Sequence, residues 1–198
     1  ISRRLALALI KLGVGKRDVV SLQMPNWWQF TAMHLACARI GAITNPLMPI
    51  FRERELSFML GFAESKVVIT PHIFRGFEYK PMIESIRGDL PNLKHAFYVG
   101  GAGADDFATA LLDEALEDTA DADATLATLR PTPNDVNEVI YTSGTTGQPK
   151  GVMHTANSTL SHLKNWTTHH HLSSEDKVFM ASPLAHQTGF LYAILMPV

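Results

Sequence analysis

The sequence predicts an α/β protein: a largely parallel sheet with helices packed on its faces. Two observations carry this. Extended apolar runs alternate with helical stripes along the chain, and that alternation feeds parallel strands through helical crossovers. The chain has 198 residues, 46% of them hydrophobic and 18% charged, which is ordinary for a globular protein and enough to bury a proper core.

The elements follow in order. Leu5, Ala8, Leu9 and Leu12 fall at i, i+3, i+4 and i+7 and predict a first helix, with Gly13 as its stop. "DVVSLQ" (18–23) reads as a strand. "NWWQFTAMHLACARIG" (26–41) is apolar nearly all round and predicts a buried helix. Asn26 stands near its start, Gly41 after its end, and Trp27 and Trp28 are expected in core and helix-start packing. "AITN" (42–45) is a short strand, "RERELSFMLGF" (52–62) a helix and "KVVIT" (66–70) a strand. Tyr79, Met82, Ile83 and Ile86 form another helical stripe, and "HAFYV" (95–99) another strand.

Residues 102–128 differ in character, with eight acidic side chains and no Lys or Arg. Phe107, Leu111, Leu112, Ala115 and Leu116 predict one amphipathic, solvated helix there. Pro131 and Pro133 cannot continue a helix, so 130–135 is a connector. It divides the chain into a first α/β subdomain (1–130) and the start of a second (131–198). In the latter, "EVIYT" (138–142) is a strand and "VMHT" (152–155) is extended. A helix begins near residue 156, and a strand-like "KVFMASP" (177–183) leads to His186.

Composition also excludes. A net charge of −2 gives no basic field for nucleic acid or anionic membrane. No apolar run approaches the roughly eighteen residues of a membrane helix. The single cysteine, Cys37, cannot form an internal disulfide, and a reducing cytoplasm is the expected compartment. His169 to His171 sit at a helix end and point in different directions, so they are not read as metal ligands. The chain opens at Ile1 in a helical pattern and closes on the apolar "TGFLYAILMPV", which predicts an internal piece of a longer protein.

The chemistry concentrates in "YTSGTTGQPKG" (141–151), where four hydroxyl side chains and three glycines crowd around Lys150. Glycines let backbone N–H groups converge, and convergent amides with hydroxyls form a concavity for an anion. Lys150 adds a full positive charge, so a polyphosphate suits the loop. It is not a G-x-x-x-x-G-K-[ST] loop, because Pro149 stands where the second glycine would be and Gly151 follows Lys150. "VGGAGADD" fails the dinucleotide pattern, with Asp106 at its third glycine position.

The ordered string from Thr142 to Lys150 resembles the phosphate-binding signature of the adenylate-forming superfamily, which includes acyl-CoA synthetases, luciferases and peptide-synthetase adenylation domains. The resemblance extends along the chain. "GVGKRDVVSLQMPN", "LACARIGAITNPLMP" and "RERELSFML" are similar to the early segments, and "SPLAHQTGF" to the stretch after the phosphate loop, with Ala185 where an aromatic is common. The whole is most like acyl-CoA synthetases. The resemblance implies a partial N-terminal domain of a ligase that joins a carboxylic acid to AMP and then to coenzyme A, using ATP and Mg²⁺. It implies that Thr142, Ser143, Gly144, Thr145, Thr146 and Gly147 line the triphosphate, with Lys150 close by, and that His186 borders both acyl and phosphate sites. It leaves the metal ligands unknown. It also places the Gly-Tyr-x-x-Thr-Glu segment, the ribose-binding aspartate and the mobile C-terminal domain outside these residues. The open alternatives are a non-catalytic nucleotide- or partner-binding remnant, and an adenylate-forming ligase that does not use coenzyme A.

Overall fold

A computed structural model of the chain describes residues 1–142 and 149–197. Among these residues six strands form one sheet: β1 (Val19–Leu22), β2 (Ile43–Pro46), β3 (Ser65–Pro71), β6 (His95–Val99), β7 (Val136–Thr142) and β8 (Lys150–Thr155). Their order is β6-β3-β1-β2-β7-β8, parallel throughout except for β8, which returns antiparallel to β7. A two-stranded hairpin, β4 (Ile73–Phe74) and β5 (Phe77–Glu78), follows β3 and is not legible in the hydrophobic pattern.

Alternation along each strand sorts its side chains to the two sheet faces. Val67, Ile69 and Phe97 join the core formed with α1 (Ser2–Lys11) and α2 (Trp28–Ile40), where Leu5, Leu9, Phe30 and Met33 are fully buried. Val68, Ala96 and Tyr98 face the opposite way, onto α3 (Glu53–Phe62) and α4 (Tyr79–Arg87), through Leu56, Leu60, Met82 and Ile83. Both faces are covered, as the expected class requires. Helix α2 ends on Gly41 at φ +69°, where a Cβ would lie 2.9 Å from the Lys16 side chain. Both the left-handed turn and the close approach demand glycine there.

The acidic segment departs from expectation. Instead of one solvated helix it breaks into α5 (Phe107–Leu111), a 3₁₀ turn (Leu116–Asp118) and α6 (Ala122–Thr128). Asp106 starts α5 by accepting from the Ala108 and Thr109 N–H groups at 3.0 and 3.1 Å, and Phe107 and Leu111 enter the core. The carboxylates that follow turn back onto the basic side chains of α1. Arg4 donates to Glu117 at 2.7 Å and to the Leu112 carbonyl at 2.8 Å, Arg3 pairs with Asp123 at 2.8 Å, and Lys11 pairs with Glu114. The Arg4 guanidinium holds the Glu117 carboxyl down at about 2. A continuous helix could not aim these groups at one neighbour.

Helix α7 (Ala156–His169) begins where expected. The Thr155 hydroxyl accepts from the Ser158 N–H at 3.2 Å, and the Ser158 hydroxyl accepts from the Thr155 N–H at 3.0 Å. Residues 177–183 are not a strand. The chain instead reaches a helical turn at Gln187–Gly189 that runs into a π-helix over Phe190–Leu195. Trp27 and Trp28 do mark the start of α2, but Trp28 is 51% exposed rather than in the core, with its ring edge-on to Phe107.

Candidate functional site

Every strand of the parallel set delivers its following loop to one sheet edge. The order reverses about β1, with β2 on one side and β3 on the other, and such a reversal opens a crevice outside the carboxyl ends of the strands. A cleft of about 560 Å³ lies there. Its walls come from Pro25 and Asn26 after β1, Pro49 and Arg52 after β2, and Arg75 and Phe77 after β3. Pro183 reaches it from the far end of the chain.

The cleft joins aromatic walls to guanidinium groups. Arg52 lies 3.9 Å over the Phe77 ring and donates to the Pro49 and Phe51 carbonyls at 2.9 and 2.8 Å. Arg75 sits at φ +52° beside Gly76 at φ +76°, in the tight turn between β4 and β5. That conformation suits Asn, Asp or Gly better than a long side chain, and it holds the Arg75 guanidinium 5.2 Å from the Phe74 ring centre. Such a surface accepts an anion carried on a flat or apolar body.

Strand β7 runs parallel to β2, so Thr142 stands at the same carboxyl edge as the cleft. Lys150 is its direct cross-strand partner at the start of β8, and its side chain is exposed. The two ends of the hydroxyl- and glycine-rich string are therefore paired across β7 and β8. Ser143, Gly144, Thr145, Thr146 and Gly147 lie outside the described residues.

His186 arrives at its place without the expected strand before it. Asn26 does not cap α2, whose first turn is preceded by Trp27. The Asn26 amide instead donates to the Ser182 carbonyl at 2.9 Å and accepts from the Leu184 N–H at 2.9 Å. One side chain thus ties the loop after β1 to the loop before His186, 156 residues away in sequence. His186 Nδ1 then accepts from the Thr188 N–H at 3.3 Å, starting the helical turn. With Nδ1 used as an acceptor, the neutral ring carries its proton on Nε2, so the exposed histidine offers a donor. Gly189 closes the turn so tightly that a Cβ would lie 2.1 Å from the Pro183 carbonyl oxygen.

Behind this turn lies a buried polar row. Glu138 on β7 faces Thr44 on β2 and His154 on β8, and it is fully buried. Burial pushes its carboxyl up to about 8, opposed in part by the Gln187 side-chain amide. Burial also pulls His34, which meets the Thr44 hydroxyl at 3.0 Å, down to about 4, and lowers His154. The Cys37 thiol is pushed up to about 12, so this cysteine is an inert core residue. Sequence reasoning does not single out Glu138, although a lone carboxylate in the middle of an apolar strand is a signal that could have found it.

The model of the family described as AMP-binding enzyme matches residues 1–198. The chain belongs to the AMP-binding enzymes. Among its relatives, the medium-chain fatty-acid–CoA ligase of Escherichia coli (strain K12) is 33% identical over 194 residues, covering 98% of this chain and 33% of that protein. The long-chain-fatty-acid–CoA ligase FadD13 of Mycobacterium tuberculosis (strain ATCC 25618 / H37Rv) is 32% identical over 188 residues, covering 94% and 34%. The chain therefore spans about a third of the length of these curated relatives. The inhibitor-bound N-terminal domain of FACL13 from Mycobacterium tuberculosis superposes with a TM-score of 0.79 at 29% identity, over 99% of this chain and 46% of that one. A long-chain fatty-acid CoA ligase structure from Rhodopseudomonas palustris CGA009 shares the fold, with a TM-score of 0.80 at 22% identity. In this AMP-binding chain the cleft and the paired Thr142 and Lys150 both lie at the carboxyl edge of the parallel strands.

Proposed function

We propose that the complete protein is an ATP-dependent acid–thiol ligase. A carboxylate attacks the α-phosphate of ATP, forming the acyl-adenylate and releasing pyrophosphate. The thiol of coenzyme A then attacks the acyl carbon and expels AMP. The observation that supports this reading best is the hairpin of β7 and β8. It carries an ordered hydroxyl- and glycine-rich string ending in Lys150, at the sheet edge where the cleft opens.

Each named residue has a task in that reaction. Thr142, Ser143, Gly144, Thr145, Thr146 and Gly147 supply hydroxyls and backbone amides to the triphosphate. Lys150 holds charge on the departing pyrophosphate, where positioned cations lower the barrier. His186 Nε2 donates to the carboxylate or to the α-phosphate and steadies their approach. Among the described residues no three His, Cys, Asp or Glu side chains converge as a metal cage. Mg²⁺ is usually held by one or two protein groups together with substrate phosphates, so it would arrive with ATP, and no protein ligand is assigned to it.

The acid is proposed to be a medium-chain or cyclic aliphatic carboxylic acid, and the compartment the cytoplasm. Among the described residues no helix is long and apolar enough to cross a membrane. The competing reading is a binding module that holds nucleotide without turnover. ATP–pyrophosphate exchange with a graded panel of carboxylic acids, followed by thioester detection with coenzyme A, decides between them. Acid-dependent exchange and thioester formation are expected. Nucleotide binding without exchange for any acid would leave only the binding module, and exchange without thioester would point to another acceptor.

A further inference from the structure

Outside the residues already given a task, the most unusual feature of the molecule is a set of buried polar atoms with nothing to bond. Among the described residues, Glu138 Oε1, Glu138 Oε2 and Gln187 Oε1 are all buried and without a hydrogen-bond partner. An unpartnered buried polar atom costs about 1–3 kcal/mol. The turn that carries Gln187 packs beside Glu138: Phe190 lies 4.6 Å from the His34 ring, which meets Thr44, the β2 partner of Glu138. The chemistry of the three atoms supplies partners. An ionised carboxylate only accepts, and Gln187 Oε1 only accepts, so the charged form would leave acceptors facing acceptors. A protonated carboxyl has one O–H donor and one carbonyl acceptor, and the Gln187 amide has the complementary carbonyl and N–H. Only the neutral acid can satisfy all three atoms at once.

The surroundings favour that form. Glu138 has no exposed surface. The titratable groups packed around it are His154, directly across on β8, and His34, behind Thr44 on β2. Burial lowers both histidines, so neither offers a counter-charge, and Cys37 on α2 is held as a neutral thiol. The Gln187 amide N–H groups can also serve the charged carboxylate, but they offset burial only in part.

We infer that Glu138 and Gln187 form a buried carboxylic acid–amide pair that fixes the His186 turn against the strand leading into the phosphate loop. Glu138 is a positioning residue. It lies four residues before Thr142, and Gln187 follows His186 directly. One clamp therefore sets the distance between the turn bearing His186 and the strand bearing Thr142. That role in catalysis rests on the ligase reading above, whereas the pair itself does not.

The experiment separates the two. In infrared spectra of the full-length protein at pH 7, a protonated-carboxyl C=O stretch is expected in the wild type and absent from Glu138→Gln. A missing band, or one untouched by the substitution, overturns the pair. This holds whether or not any acid is turned over. Glu138→Leu is expected to lower kcat for acyl-adenylate formation about tenfold while KM for ATP changes by less than about twofold, because the groups that hold the nucleotide are intact. Glu138→Gln keeps an amide that both donates and accepts, and it should restore kcat to within about threefold. A defect confined to KM, or no rescue by Gln, overturns the positioning role. Should the Leu variant fail to fold, Gln187→Leu removes the pair from its other half and carries the same kinetic prediction. A wild type that makes no acyl-adenylate from any acid refutes the ligase reading, and the infrared band still decides the pair.

Discussion

The neutral carboxyl inside β7 makes stability fall with pH in a range where few proteins change. The Glu138 carboxyl rises from an ordinary 4.5 to about 8 in the fold. Between those values the folded chain holds a proton that the unfolded chain releases. The contribution is fully present below 4.5 and is lost as pH rises toward 8. The buried histidines work in the opposite sense. His34, lowered from 6.5 to about 4, is neutral in the fold while the unfolded ring still binds a proton, so it makes stability rise with pH, but only up to 6.5. His154 is also lowered, and its contribution likewise fades as pH rises past its ordinary 6.5. Cys37 begins to oppose folding only above its ordinary value of 9.0. From pH 6.5 to 8 the histidine contributions fade and that of Glu138 dominates, and comparison with a Glu138 variant cancels what remains of them. At about 1.4 kcal/mol per unit over roughly 1.5 units, the wild type should lose roughly 2 kcal/mol of unfolding free energy there. Glu138→Gln, which cannot ionise, should lose almost none. Urea unfolding of both proteins at the two pH values measures the difference directly. Parallel pH profiles would show that Glu138 is ionised in the fold and would refute the burial argument.

Three further outcomes are expected. Lys150→Ala should slow acyl-adenylate formation about ten- to a hundredfold for every acid tested, since the lysine is proposed to act on ATP rather than on the acid; an unchanged ATP–pyrophosphate exchange rate would make it mere surface charge. His186→Ala should cut acyl-adenylate formation strongly and leave coenzyme A transfer from supplied acyl-adenylate nearly intact, measured as separate half-reactions on a variant with unchanged melting temperature. Gly189→Ala places a methyl 2.1 Å from the Pro183 carbonyl oxygen, so a loss of about 1–3 kcal/mol in stability is expected, and a melting temperature equal to wild type would mean that the turn yields freely.

Much of the fold is legible because its signals are local. Apolar runs such as "KVVIT" and "HAFYV" become β3 and β6, and the stripe from Tyr79 to Ile86 becomes α4, because each can bury its apolar face wherever the chain places it. The acidic segment escapes for the opposite reason. Its shape is set by Arg3, Arg4 and Lys11, which precede it by more than a hundred residues in the case of Arg4 and Glu117. Periodicity sees no partner at that range. The segment before His186 behaves similarly. "KVFMASP" has strand-like composition, yet it is fixed by the Asn26 amide rather than by a ladder. The phosphate-loop string and His186 can be singled out from their order alone, while Glu138 and Asn26 acquire meaning only once β7 and the loop before His186 have neighbours.

The clamp between α1 and the acidic segment also has a meaning in time. The apolar stripe of α1 can settle on α2 soon after both emerge from the ribosome, as the two share one core. Its basic side chains cannot. Arg4 and Glu117 are separated by 113 residues, and at roughly 5–20 residues per second of synthesis that interval lasts roughly 6–23 s. Until then Arg3, Arg4 and Lys11 lack the carboxylates they pair with in the fold. Arrival of Glu114, Glu117 and Asp123 gives these cations an internal partner, while the core that α1 and α2 share is closed only later by Leu184, Phe190 and Ile194.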